Sequence, residues 1–162
     1  MNLKFNIEKQ PTQSLYSMFV ASSETKFLTD IVIEELIRSM STEKESIIGI
    51  YDDFYLVGYA RISMAGYNYT REGRWHIGPV YISPEYRNKK VGSAFIEWSK
   101  ERYDKLSATV DVNNDSSNKL FETSGFKTTE DVEWGGDTPC HEWCYPAMEH
   151  PPEEVNALLV EG

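Results

Sequence analysis

One stretch of this sequence holds the residue types from which phosphate recognition could be built: Ile82-Ser83-Pro84-Glu85-Tyr86-Arg87-Asn88-Lys89-Lys90-Val91-Gly92-Ser93. Upstream of it, Trp75 to Ile82 is rich in strand-forming residues. Downstream, Val91, Ala94, Phe95 and Trp98 recur at helical spacing and predict a helix to about Tyr103. A strand therefore runs through a basic turn into a helix N-terminus. The first backbone N–H groups of a helix lack intrahelical acceptors and sit at the positive end of its dipole, so this arrangement can cradle an anion such as a pyrophosphate. The same residues would also make a solvated basic turn, and physical reasoning on the stretch alone leaves both readings open. Gly78-Pro79 interrupts the strand, and because proline has no ladder donor a bulge or splay is expected there.

A second group has metal-ligating types: Cys140-His141-Glu142-Trp143-Cys144, with His150 nearby. The spacing is Cys-x-x-x-Cys with no second pair, so it reads as two ordinary strand cysteines and no metal is expected.

The remaining elements must position the turn. Leu3, Phe5 and Ile7 alternate as a first strand, ended by Pro11 and Thr12. Leu15, Met18 and Phe19 suggest a short helix, and Phe27, Ile31, Ile33, Leu36, Ile37 and Met40 a longer one. Ser46–Tyr51 and Tyr55–Met64 form an expected hairpin around Asp52-Asp53, followed by a polar loop from Gly66 to Gly73. After the motif, Leu106–Val112 reads as a strand, Ser116–Ser124 as a helix and Phe126–Trp134 as a strand. Gly135-Gly136-Asp137 then turns the chain into a last strand, His141 to about Ala147. This order argues for an α/β protein with a mixed sheet and helices on both faces.

Composition narrows the partners. The net charge of −10 is not spread evenly: residues 1–129 carry 17 acids and 16 bases, whereas residues 130–162 carry nine acids and no Lys or Arg. A phosphate-backbone binder needs clustered cations, so nucleic acid is disfavoured. The most apolar helical stretch, Phe27 to Met40, is broken by Asp30, Glu34, Glu35 and Arg38, and no continuous apolar leader opens the chain. A cytoplasmic protein without a membrane span is expected. At 162 residues, folding should bury roughly 70% of the unfolded chain's surface, enough for a core without staples.

The basic stretch resembles the signature of the GNAT acyltransferase superfamily, Val-x-Pro-x-x-Arg-Gly-x-Gly-x-Gly/Ala between a strand and a helix. Ile82, Pro84, Arg87 and Gly92 stand at the matching offsets. Downstream, Asn114 to Phe126 is similar to the family's Asn-x-x-Ala-x-x-Leu-Tyr-x-x-x-Gly-Phe, and the element order from Leu3 to Ala147 fits as well. The resemblance implies a central mixed sheet of about seven strands, splayed between the fourth and fifth and flanked by about four helices. Residues 1–150 would form a single domain, with 151–162 an acidic tail.

It further implies acetyl-CoA as co-substrate. Backbone groups of Val80 to Ile82, Tyr81 between them, would hold the pantetheine and polarise the thioester carbonyl. The segment Asn88-Lys89-Lys90-Val91-Gly92-Ser93 would wrap the pyrophosphate beside Arg87, and Asn114 would touch the pantetheine arm. The departures are that Asn88 and Lys90 replace loop glycines, and that Phe121 stands where many members carry a tyrosine that protonates the departing thiolate.

His76 matches the general-base position of some members and has an unperturbed pKa in the working range; Asp111 is the second candidate. Tyr81 and Tyr145 are conceivable acids. Tyr67, Tyr69, Trp75, Trp134 and Trp143 could line an acceptor pocket. The implied activity is transfer of an acetyl group to a primary amine by direct attack, the acceptor being a cationic small molecule or a lysine-bearing protein drawn by the acidic segment. The alternative is a binding or structural protein that keeps the fold without catalysis. Leu158, Leu159 and Val160 give the tail an apolar anchor for covering the acceptor groove or docking on a second copy as a homodimer.

Overall fold

The alternating and helical patterns become seven strands and four helices in the computed structural model, which describes residues 1–23, 30–64, 73–134 and 138–147. The strands are β1 (Leu3–Glu8), β2 (Glu45–Asp52), β3 (Tyr55–Met64), β4 (Trp75–Ile82), β5 (Leu106–Asp111), β6 (Lys127–Trp134) and β7 (Thr138–Tyr145). The helices are α1 (Gln13–Ser23), α2 (Asp30–Ser39), α3 (Val91–Arg102) and α4 (Asp115–Thr123). The strands hydrogen-bond in the order β1-β2-β3-β4-β5-β7-β6, with β4 and β5 the parallel pair. Among the described residues, no helix is long and apolar enough to cross a membrane. The predicted turn at 135–137, Phe27, the loop aromatics Tyr67 and Tyr69 and the tail lie outside the described residues.

The chain groups into two compact units. The first comprises Met1–Ser63 and Ile77–Trp98; the second comprises Met64–His76 and Ser99–Gly162.

In the first unit, β1, β2 and β3 form an antiparallel ladder with Phe5 opposite Ile50 and Ile47 opposite Arg61. Side chains alternate across a strand, so β2 and β3 send apolar residues to both faces and β1 to one. Ile47 and Tyr59 join Leu15 and Phe19 of α1 and Ile33, Leu36 and Met40 of α2 in one buried cluster. Phe5, on the opposite face, meets Phe95 and Trp98 of α3 at ring distances of 6.1 and 5.6 Å. Thr12 caps α1, its hydroxyl accepting the Leu15 amide at 3.1 Å. The buried Tyr59 hydroxyl is satisfied by Ser22 Oγ at 2.7 Å. The hairpin turns at Asp53-Phe54, one residue later than the sequence pattern suggests, because Asp53 takes the left-handed conformation (φ 53°) and Asp52 still pairs with Tyr55.

In the second unit, β7 lies between β5 and β6, antiparallel to both. It starts at Thr138, three residues before the expected His141, and ends at Tyr145 because Pro146 follows. Phe121 of α4 packs on Phe126 at 5.1 Å, and Phe126 on Tyr145 at 5.5 Å. Trp143 donates its indole N–H to Asn118 Oδ1 at 2.9 Å. Cys140 and Cys144 are buried and not joined in a disulfide. Four residues apart on a strand, they share a face but stand roughly 13 Å apart, too far to ligate one ion.

Candidate active site

Chain geometry first fixes the turn between β4 and α3. Pro84–Tyr86 makes one 3-10 turn, closed by the amides of Tyr86 onto Ser83 and Arg87 onto Pro84. Asn88 (φ 61°) and Lys90 (φ 65°) then both take the left-handed conformation. These are the two positions where the family pattern has glycine. Side chains there cost about 1 kcal/mol each, asparagine less, so the backbone path is retained against local preference. The first amide to close on α3 is that of Ala94, onto the Lys90 carbonyl at 3.1 Å. The amides of Val91, Gly92 and Ser93 therefore precede the first helical bond and have no intrahelical acceptor. Arg87, Asn88, Lys89 and Lys90 are all exposed, so the turn presents three cations and a helix N-terminus to solvent.

The strand feeding this turn carries the expected irregularity. A Cβ placed on Gly78 would stand 3.6 Å from the Arg61 Cβ, and the Tyr81 ring lies 6.2 Å from that of Tyr59. Arg61 and Tyr59 are two apart on β3 and share a face. Gly78 and Tyr81 are three apart on β4, yet they face the same way, so alternation slips by one residue between them. Pro79 and Val80 occupy the slip and are exposed, Val80 at 39%. Tyr81 and Ile82 are half-buried beyond it.

The second unit holds the acid–base candidates. His76 Nδ1 and Ser107 Oγ are 3.1 Å apart, and the Trp75 amide donates to the Lys105 carbonyl at 2.8 Å, fixing the start of β4. Two residues along the same face of β5, Thr109 donates to Glu142 Oε2 at 2.6 Å. Asp111 follows on that face, half-buried at the strand end, its Oδ1 accepting the Asn113 amide at 2.8 Å. Ser107 and Asp111 are roughly 13 Å apart along the strand, so the structure does not bring His76 and Asp111 together as one acid–base pair.

The downstream motif is occupied locally. Asn114 caps α4, its side chain accepting the Ser117 amide at 3.2 Å and the Ser116 hydroxyl at 3.3 Å. Phe121 is 6% exposed, a core side chain in the stack with Phe126. Trp75 packs on Tyr103 at 4.9 Å, and Trp143 is buried. Glu142, one of the nine acids beyond residue 129, is fully buried. Among the described residues, no group of three or more His, Cys, Asp or Glu could hold a metal ion.

This sheet order with four helices is the α/β fold of GNAT-type acetyltransferases. The chain belongs to that family: residues 12–126 match the acetyltransferase (GNAT) family model. Its fold is similar to that of an acetyltransferase from Thermus thermophilus, at 18% identity over 90% of this chain and 97% of that one, with a TM-score of 0.69. A GNAT family acetyltransferase from Bacillus cereus is similar over 90% and 99% of the two chains, with 15% identity and a TM-score of 0.69. A mutant of the spermidine N-acetyltransferase SpeG from Vibrio cholerae is similar over 88% and 92%, with 14% identity and a TM-score of 0.70. At these identities the likeness concerns the fold alone. No curated protein sequence matches the chain significantly.

Proposed function

We propose that this protein is a cytoplasmic acetyl-CoA-dependent N-acetyltransferase acting on a primary amine by direct attack. The observation that carries the reading is the pair of left-handed non-glycine residues, Asn88 and Lys90, directly ahead of the first-turn amides of α3, which have no intrahelical acceptor. A solvated surface turn has no reason to keep a glycine conformation twice in three residues. A turn shaped to wrap a diphosphate does.

Bound acetyl-CoA would supply an activated thioester. The amides from Asn88 to Ser93 hold its pyrophosphate, with Arg87, Lys89 and Lys90 adding charge. Backbone groups at Val80 and Ile82, at and beyond the β4 slip, align the pantetheine and orient a donor on the carbonyl oxygen. Asn114 borders the arm, and Phe121 supports α4 from the core. His76, oriented by Ser107, takes the amine's proton as the N–C bond forms and the C–S bond breaks; Asp111 is the second candidate for that role. The acceptor is a cationic small molecule or a lysine-bearing protein, favoured by the nine acids and absence of Lys or Arg beyond residue 129. Residues 1–150 work as one domain, and the tail 151–162 docks on the acceptor side or on a second copy.

One observation favours a second reading, a domain that binds the co-substrate without turnover. Phe121 has no hydroxyl and is buried, so no proton for the departing thiolate comes from that position. Thermal shift with acetyl-CoA, followed by thiol release across a panel of polyamines, amino acids and lysine peptides, tests both. Stabilisation with thiol release supports the transferase, stabilisation without release supports the silent domain, and neither removes both.

A further inference from the structure

The turn that carries Asn88 and Lys90 is tied down from outside the family motif. Tyr86, which ends the 3-10 turn, donates its hydroxyl to Asp52 Oδ2 at 2.9 Å. Asp52 closes β2, whereas the turn follows β4, so the bond spans the end of β3, which lies between them in the sheet. The carboxylate is itself fixed: its Oδ1 accepts the Asn2 amide at 2.9 Å. The Asn2 side chain donates to Asp53 Oδ1 at 2.8 Å, and the Asp53 amide returns to the Asn2 carbonyl at 2.9 Å. Lys89, between the two left-handed residues, rests its ammonium 5.6 Å from the centre of the Tyr86 ring.

The electrostatics agree with a charged acceptor and a neutral donor. The Asn2 amide, then the Tyr86 hydroxyl, hold the Asp52 carboxyl below its ordinary range, and the same hydrogen bond raises the Tyr86 hydroxyl. A cavity of about 560 Å³ lined by Met1, Asp52, Glu85, Tyr86 and Lys89 lies against this contact. Left-handed non-glycine residues persist only where the surroundings over-determine them. Arg87, bound to the Ile82 carbonyl and stacked on Tyr81, attaches the turn to its own strand. Tyr86 attaches it to another.

We infer that Asp52, acting through Tyr86, is a positioning residue for co-substrate binding, holding the turn in the shape that glycines would otherwise supply. This rests on the reading that the turn carries the CoA pyrophosphate. Asparagine at 52 has one acceptor oxygen in place of two, so with Asn2 held on Oδ1 the Tyr86 hydroxyl loses the charged oxygen it donates to.

Charge and positioning predict opposite signs. Removing a negative charge near a phosphate site should tighten CoA binding, whereas releasing the turn should weaken it. The test is calorimetric titration of the full chain with CoA, for the unaltered protein and for Asp52→Asn, Tyr86→Phe, the double variant and Asp53→Asn, each with a thermal melt. The expected result is about fivefold weaker binding for Asp52→Asn and for Tyr86→Phe, the same loss and no more for the double variant, and unchanged or tighter binding for Asp53→Asn. Tyr86→Phe retains the ring and keeps the test usable if Asp52→Asn folds poorly. Either single variant binding CoA as tightly as the unaltered protein overturns the inference. An unaltered protein that does not bind CoA overturns the co-substrate reading itself, and the inference with it.

Discussion

The guanidinium of Arg87 lies over the ring of Tyr81, its central carbon 5.5 Å from the ring centre, while its Nε donates to the Ile82 carbonyl at 2.9 Å. The motif arginine is thus folded back on the strand that delivers it. Lysine keeps the charge but cannot donate from a planar fork while stacking on a ring. Arg87→Lys should therefore weaken CoA binding severalfold, a loss of about 1 kcal/mol. Equal affinity by calorimetry would mean that only the charge at this position matters.

Lys90→Gly relieves a left-handed side chain. The gain should be about 0.5–1 kcal/mol after the added freedom of glycine in the unfolded chain is counted, or roughly 1–4 °C in Tm. CoA affinity should fall at low salt, because one cation is lost, and the difference should close as salt is raised. Lys90→Val, branched at a positive φ, should lower Tm. A melt in which valine is tolerated as well as glycine would show that the turn has another conformation.

With an acceptor found by the amine panel, His76→Gln should lower kcat by about a hundredfold or more and flatten the acid limb of the pH profile. Ser107→Ala, which removes only the orienting hydroxyl, should have a smaller effect in the same direction. Full turnover by His76→Gln would move the base elsewhere on the sheet.

Glu142 is fully buried and accepts the Thr109 hydroxyl. Glu142→Ala removes the acceptor of that hydroxyl and leaves a cavity, and should cost about 2 kcal/mol, read as a drop in Tm of roughly 4–8 °C. Glu142→Gln, which still offers a carbonyl, should cost less. An alanine variant as stable as the parent would place the carboxylate outside the stabilising network.

Burial, then the hydrogen bond to Glu8, pushes the Tyr51 hydroxyl up to about 12 from 10.0. The folded state holds this proton more tightly than the unfolded one, so the contribution is complete below pH 10 and declines as pH rises towards 12. The stability difference between the parent and Tyr51→Phe should shrink across that window in alkaline denaturant titrations. A constant difference would assign the stabilisation to packing.

Local pattern carried much of this architecture. β4 and the start of α3 fall where Trp75, Ile82 and Val91 place them, since strand and helix periodicities are written in neighbouring residues. The slip in β4 was announced by Gly78-Pro79, which lacks a ladder donor. The place of β7 between β5 and β6 was not legible, because pairing across the sheet depends on residues distant in sequence. The left-handed geometry at Asn88 and Lys90 was visible only through the family resemblance, as neither residue type requires it. The Tyr86–Asp52 bond joins residues 34 apart and has no local signature at all.

The strand order β5-β7-β6 also sets a timetable for assembly. On a ribosome, β6 emerges before β7, the strand that joins it to the rest of the sheet, so its backbone must wait unpaired until Thr138–Tyr145 has been made. A chain interrupted before Thr138 would lose two strands rather than one and would display an open edge at β5. Completion of the sheet therefore reports that translation has passed the last strand, and a stalled product would be marked by an exposed template for aggregation.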